Sequence, residues 1–334
     1  MRPGLKGAPA ALAPWGAAAV LASLTAASLF VGRVEVSPAV LLRGAFSPEP
    51  SLAGLVVTEL RLPRAVLAIL VGGSLGAAGA VIQGLTRNPL ADPGLLGVSA
   101  GAAVGAVIAI YFGLAAVFPM ATPLLGLAGA LAAGALTFVL GRGGNLTLIL
   151  AGAAVSGLMG TFLALALNFA PSPYAAYEMS TWMLGSLSET SWDHVFLAAP
   201  FILTGLGVLA FTGRSLDALA LGEAQARSLG VSMDRVRVLT LIGVGLTVGA
   251  ATSVAGSIGF VGLVAPHLVR PFVGHQPART IAPAFMTGAI LLLAADAAAR
   301  VIPTGAELRL GVITGLMGAP FFFLLIVRMR GTGP

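Results

Sequence analysis

Apolar stretches about twenty residues long recur along the whole chain, and this repetition constrains the fold more than any other feature. They fall at roughly 11–32, 62–83, 94–112, 117–140, 146–169, 193–212, 236–256, 257–273, 280–299 and 306–327. At about 1.5 Å per residue, each is close to the length needed to cross a hydrocarbon core of about 30 Å. Composition agrees: 57% of the 334 residues are hydrophobic, only 9% are charged, and the mean hydropathy is +0.99. Such a chain cannot cover a water-soluble surface. In lipid, only a helix satisfies its backbone groups one segment at a time, so the expected fold is an all-α polytopic membrane protein with about ten transmembrane helices. The segment 257–273 is the shortest and carries Pro266, so it reads either as a broken helix or as continuous with its neighbour. Arg2 and Lys6 precede the first stretch, but its apolar run is too long for a signal peptide and no small-residue cleavage site follows.

An even number of spans puts both termini on one side. Twelve of the 18 basic residues fall on the terminus side and six (Arg33, Arg43, Arg61, Arg64, Arg300 and Arg309) on the other. The positive-inside rule therefore places both termini in the cytoplasm. Glu35, Glu49, Glu59, Glu178, Glu189 and Glu307 fall on the outer side. The sequence pI near 11 would fit nucleic acid, but the arginines are scattered between apolar runs, and membrane orientation explains them better.

Several chemistries are excluded. With no cysteine there is no disulfide, thiolate metal site or cysteine nucleophile. The sole lysine, Lys6, is not in a glycine-rich turn, so the chain carries no P-loop and does not hydrolyse ATP by that route. Ionisable residues within spans, the usual mark of an ion-coupled carrier, are nearly absent. Asp296 is the exception, and Arg300 lies one helical turn further on, an i,i+4 pair near the outer helix end. Energy for transport then comes from another chain. An intramembrane hydrolase would need a partner for Ser156 within its span, and none is present. His267 has only His275 nearby, too few ligands for a metal, and hydrogen bonding at a helix end suits it better.

Small residues four apart, at Gly97, Gly101 and Gly105, at Gly152, Ser156 and Gly160, and at Gly245, Gly249, Ser253 and Ser257, form smooth stripes for close helix packing. The stripe from Gly152 to Gly160, extended by Thr161 and Asn168, also suits the lining of a pathway. "GAVIQGLTRNPL" (79–90) and "GSIGFVGLVAPHL" (256–268) echo one another, as in transporters with duplicated halves. In "RNPLADPGLLGVSAG" (87–101), Pro89 ends one helix while Asp92 and Pro93 cap and start the next, a hairpin at the inner face. Arg61 and Arg64 share a helix face at the outer side with Arg300 nearby, fitting either interfacial anchoring or docking of an acidic partner. Between spans, Asp217 is placed to cap a short helix running to Ser228, with Glu223 and Arg227 paired at i,i+4 and Gly230 ending it. Pro266 is expected to break its helix so that the chain turns at the inner face.

"RLPR…GAAGAVIQGLTRNPLADPGLLGVSAGAAVGA", "LGEAQARSLGV", "GSIGFVGLVAPHLVR" and "ELRLGVITGLMGAPFFFLLI" occur in the order and spacing of the FecCD-type (type II) ABC importer permeases, and from about residue 55 to 328 the chain resembles that family. The resemblance implies one permease domain over 1–334, with 1–10 a cytoplasmic tail and 213–235 a cytoplasmic coupling segment. It implies import of a ferric siderophore, or alternatively haem or vitamin B12, by a multi-pass protein of the cytoplasmic (inner) membrane. The implied partners are a second permease copy, two ABC ATPase subunits that hold ATP and Mg, and a periplasmic or surface substrate-binding protein; no cofactor, metal or nucleic acid is implied for this chain. Arg61, Arg64 and Arg300 match the family's outer arginines that dock the binding protein. Asp217, Leu221, Gly222, Glu223, Ala226, Arg227, Leu229 and Gly230 lie in the part that matches the ATPase coupling helices. Asn88 and Leu90 match one gate; Asn145 and Leu146 stand at a second, where relatives carry small hydroxyl residues. Gly152, Ser156, Met159, Gly160, Thr161 and Asn168 lie on the helix matching the one that lines the pathway.

Overall fold

The computed structural model describes residues 13–32, 52–302 and 307–330. The expected tail 1–10 and the charges at Arg2, Lys6, Arg33, Glu35, Arg43 and Glu49 lie outside the described residues. Among the described residues the chain is helical with no strand. The helices are α1 (Ala13–Ser28), α2 (Leu52–Thr86), α3 (Val98–Tyr111), α4 (Ala121–Leu140), α5 (Asn145–Asn168) and α6 (Pro173–Met183). They continue with α7 (Trp192–Leu219), α8 (Glu223–Ser228), α9 (Met233–Ala255), α10 (Val261–Val269), α11 (Pro277–Val301) and α12 (Leu310–Arg330). Helices α2, α4, α5, α7, α9 and α11 are each long and apolar enough to cross a membrane alone, while α1, α3 and α12 are shorter apolar helices.

Helix α2 sits at the centre, packed on α7, α9, α10 and α11, and α9 in turn packs on α3, α4 and α7. Glycine makes these contacts close. A Cβ on Gly72 would lie 2.4 Å from the Gly288 carbonyl oxygen, and one on Gly76 would lie 2.1 Å from that of Ala284, so α2 and α11 touch backbone to backbone. The stripe read at Gly101 and Gly105 does the same against Gly129 and Leu125 of α4. Gly97 stands apart from it: with φ of 75° it is the left-handed joint between a 3₁₀ turn (Pro93–Leu96) and α3. Asp92 caps that turn, its Oδ1 accepting from Gly94 N at 2.8 Å. Helix α2 ends not at Pro89 but at Thr86, with Arg87 left-handed (φ 50°).

The stretch 257–273 is not a full span. The chain breaks after Ala255, where Gly256 (φ 71°) occupies a slot whose Cβ would lie 2.4 Å from the Trp182 carbonyl oxygen. Helix α10 then has only 9 residues, or about 14 Å, and passes into a 3₁₀ turn at Arg270–Phe272. It starts level with Gly79 of α2, whose Cβ would lie 1.8 Å from the Gly262 carbonyl oxygen. Gly79 is two helical turns, about 10 Å, from the inner end of α2. Hydropathy sums the irregular stretch 256–260, the half-helix and the turn into one apolar window, so it reads as one helix what is three pieces. Pro266 lies inside α10 and does not end it. Lacking an N–H, Pro266 leaves the Gly262 carbonyl without its helical donor. The buried Gln83 side chain approaches there instead, its Nε2 at 3.5 Å from Gly262 O and 3.3 Å from Leu263 O. Segments 79–90 and 256–268 thus pack against one another, the first a helix running into a turn and the second irregular backbone followed by a half-helix.

Helix α7 also runs past the expected end at 212, to Leu219. Asp217 therefore caps no short helix of its own. Its Oδ1 accepts from Ala278 N and its Oδ2 from Gln276 Nε2, both at 2.8 Å, which caps the start of α11. The short helix of this segment is α8 alone, bracketed by the left-handed Gly222 (φ 112°) and Gly230 (φ 83°).

Candidate functional site

At one end of the molecule Arg61, Arg64 and Arg300 do come together, but not as open cations. Arg64 reaches Asp296 Oδ1 through Nε (2.9 Å) and Nη2 (2.8 Å), and also pairs with Glu307. Arg300 Nη2 lies 2.9 Å from Asp296 Oδ2, so the i,i+4 pair forms, and Asp296 bridges two guanidiniums. Arg300 Nη1 donates to the Ser28 and Val31 carbonyls and Arg61 Nη1 to that of Leu29, so both arginines face the carbonyl end of α1. The side chains of Arg64 and Arg300 are 10% and 7% exposed, Asp296 is fully buried, and Arg61 is buried too. The three guanidiniums are thus held within the chain by carboxylates and backbone carbonyls. In a layer this apolar a bare guanidinium is costly, and the chain supplies Asp296 and Glu307 to offset it. Glu307 carried no sequence signal as a partner.

At the opposite end, Asn145 starts α5. Its Nδ2 donates to the Leu85 carbonyl at 2.8 Å, and its Oδ1 accepts from Arg237 Nε at 3.1 Å. Arg237 also donates to Glu223 Oε1 and to Asp234 Oδ1, both at 3.1 Å. Glu223 in turn accepts from Arg227 at 2.8 Å, confirming the expected i,i+4 pair. A chain of side chains therefore runs from α8 through α9 to the foot of α5 and the last turn of α2. Arg237 is the residue that sequence reasoning missed, because nothing in the spacing of 145, 223 and 237 announces their meeting. Asn145 is committed to this network; the neighbouring Leu146 is 70% exposed. Asn88 is exposed, and its Oδ1 accepts from Leu90 N at 2.9 Å, which sets the turn that presents both. On α8, Ala226 is buried and the Arg227 side chain is 64% exposed, while the flanking Leu221 and Leu229 are 65% and 66% exposed.

Helix α5 itself is largely uncovered, and the stripe read from the sequence is rotated. Gly152 faces inward, where a Cβ would lie 2.0 Å from the Leu95 carbonyl oxygen; Ser156 and Met159 are half-buried. Gly160, Thr161 and Asn168 are exposed as expected. The open stripe at i, i+4, i+7 runs through Leu146, Leu150, Ala153, Gly157, Thr161, Ala164 and Asn168, all exposed. Beside it lies a bulkier apolar face of Leu158, Phe162, Leu165 and Phe169. Close packing and pathway lining both select small residues, so the sequence could not separate Gly152 from Gly157. His267 packs edge-on against Phe321 at 5.5 Å, and its Nδ1 has no hydrogen-bond partner among the described residues, contrary to the expected bond. No group of three or more metal-ligating side chains occurs among the described residues.

The model of the FecCD transport family matches residues 20–328. The chain belongs to this family, the permeases of type II ABC importers. It is 39% identical over 284 residues to the hemin transport system permease protein HmuU of Yersinia pestis, covering 81% of this chain and 83% of that one. It is 38% identical over 306 residues to the vitamin B12 import system permease protein BtuC of Vibrio cholerae, covering 90% and 89%. Among solved structures, one assigned as a metal-chelate type ABC transporter in an inward-facing conformation superposes with a TM-score of 0.85 at 30% identity, covering 94% of this chain and 98% of that one. The FecCD chain described here is thus a multi-pass membrane protein with the fold and length of a transport permease.

Proposed function

We propose that the protein is the permease of an ATP-driven importer that moves a ferric chelate, first of all a ferric siderophore, into the cytoplasm. The whole of 1–334 is one permease domain, with both termini in the cytoplasm and the protein in the inner or cytoplasmic membrane. Haem and vitamin B12 are the alternative cargoes, in keeping with the names of two relatives. The observation that carries the reading is α8. A short helix between left-handed glycines, flanked by the exposed Leu221 and Leu229, is wired through Glu223, Arg237 and Asn145 to the foot of α5. An exposed apolar pair beside a charged rim is a docking element for another chain. That chain is the ATPase, present twice, where ATP and Mg bind.

Two copies of the permease place their α5 helices at a shared axis. The stripe through Gly157, Thr161, Ala164 and Asn168 lines the route, weakly adhesive enough for a large cargo to leave. Asn88, Leu90 and Leu146 form the inner constriction, with Asn145 holding it in place. At the outer end, the Arg61–Arg64–Arg300 group, held in place by Asp296 and Glu307, is the surface against which the acidic lobes of a binding protein dock. ATP-driven closure of the ATPases pushes α8 and, through Arg237, moves α5 relative to α2.

Reconstitution of the permease with its ATPases in proteoliposomes tests the proposal. Loaded binding protein outside and ATP inside should together drive uptake of a radio-iron siderophore, and ATP depletion should stop it. Uptake that survives ATP depletion but collapses with a proton uncoupler would instead identify an ion-coupled carrier. Parallel uptake of haem and cobalamin ranks the three cargoes.

A further inference from the structure

A second charged feature at the inner face takes no part in the network above. A cleft of about 230 Å³ opens between the ends of α2 and α7 and the turn joining α10 to α11. Three of its lining residues carry basic side chains, Arg87, Arg270 and His275, and none carries a carboxylate. No carboxylate pairs with any of the three among the described residues. Asp217, which caps the start of α11, is spent on Gln276 and Ala278.

The cleft is built rather than incidental. The half-buried Arg270 donates from Nη2 to Gln83 Oε1 at 2.6 Å, and Gln83 is fixed by its own Nε2 contacts with α10. Burial without a carboxylate partner pushes the Arg270 guanidinium below its ordinary value. The turn from Arg270 to His275 closes through a bond from His275 N to Arg270 O at 3.1 Å, which brings the imidazole to the same cleft. Only three non-glycine residues have positive φ among the described residues, and two of them are Arg87 (φ 50°) and His275 (φ 61°). Left-handed backbone at a side chain bearing Cβ is strained and tends to persist where function holds it. Here both cases aim a basic residue into one cleft.

We propose that the juxtaposition of Arg87, Arg270 and His275 around Gln83 is a binding site for a phosphate-bearing anion at the cytoplasmic face. Guanidiniums bind phosphate oxygens in pairs, and basic pockets between helix ends on this side of a bilayer suit lipid phosphates. The same chemistry accepts a soluble phosphate compound from the cytoplasm. The site adjoins Ala220, two residues before the turn into α8, so occupancy stiffens the base of the coupling segment.

The test uses the full-length permease in neutral detergent. In one arm, native mass spectrometry follows retention of phosphatidylglycerol against phosphatidylcholine with matched acyl chains. In the other, calorimetry follows titration with inorganic pyrophosphate. Saturable retention of phosphatidylglycerol at least ten-fold above phosphatidylcholine identifies a lipid headgroup; saturable pyrophosphate binding identifies a soluble phosphate. Arg270→Gln should lower the binding seen by ten-fold or more. Because that change also disturbs Gln83, the double variant Arg87→Asn, His275→Asn is the second probe, since asparagine tolerates left-handed backbone; it should lower binding as much with an unchanged melting temperature. No saturable binding in either arm, or wild-type binding by the double variant, would overturn the proposal. Loss of ATPase association in the variants without any phosphate binding would likewise overturn it, in favour of an acidic protein contact.

Discussion

The outer and inner charge networks use the same few residue types and are built to opposite ends. Outside, Arg64, Asp296 and Arg300 are nearly or wholly removed from water, and each carboxylate oxygen of Asp296 faces a guanidinium. Inside, exposure rises along the chain from Arg237 (10%) through Glu223 (33%) to Arg227 (64%). A buried cluster is rigid, because losing one member strands the others without solvent. A graded one can exchange partners with water, so its far end can move while its near end stays attached. The comparison teaches that the outer network is a clamp joining α1, α2 and α11, and the inner one a compliant link.

Removing the clamp's centre should have the largest effect. Asp296→Ala leaves the buried Arg300 without a carboxylate and Arg64 with Glu307 alone, and is expected to cost about 3–5 kcal/mol, read as a fall in melting temperature or loss of folded protein in detergent. Glu307→Gln, at a site 26% exposed, should cost less, about 1–2 kcal/mol in the same assay. A smaller cost for Asp296→Ala than for Glu307→Gln would reverse the ranking and dissolve the clamp. Asn145→Ala leaves the Leu85 carbonyl and Arg237 each short of a partner, so about 1 kcal/mol of stability is expected to go. Its larger signature is functional: ATP turnover in the reconstituted complex should continue while transport per ATP falls several-fold. Unchanged coupling would show that the link is only a brace. Arg227→Ala removes an exposed i,i+4 pair and should change stability by no more than about 0.5 kcal/mol, an effect that vanishes in high salt.

Much of the site was legible, because it depended on local pattern. The cap at Asp92, the Glu223–Arg227 pair and the stop at Gly230 all join residues within a few positions of one another. Where the reading failed, the deciding partner was far away in sequence. Asp217 has the spacing of a local cap, yet its partners are Gln276 and Ala278. No local pattern places Glu307 and the end of α1 beside the outer arginines. Gly152 and Gly157 belong to the same small-residue helix, and only the position of the Leu95 carbonyl decides which one packs and which one faces outward.

Residue chemistry alone therefore determined that this chain lives in a membrane, is helical and carries no ATP-hydrolysing loop, since hydropathy and composition add up without regard to contacts. The four motifs, taken in order, also settled its family. What only the tertiary structure decided is how far each helix runs and which side chains meet. The half-helix α10 owes its length to a glycine slot against Trp182, its interior proline is answered by a glutamine from α2, and Arg237 becomes a link only because Asn145 and Glu223 lie on either side of it. Those outcomes rest on distances between residues on different elements, from 14 to about 180 positions apart in sequence, which no local pattern encodes.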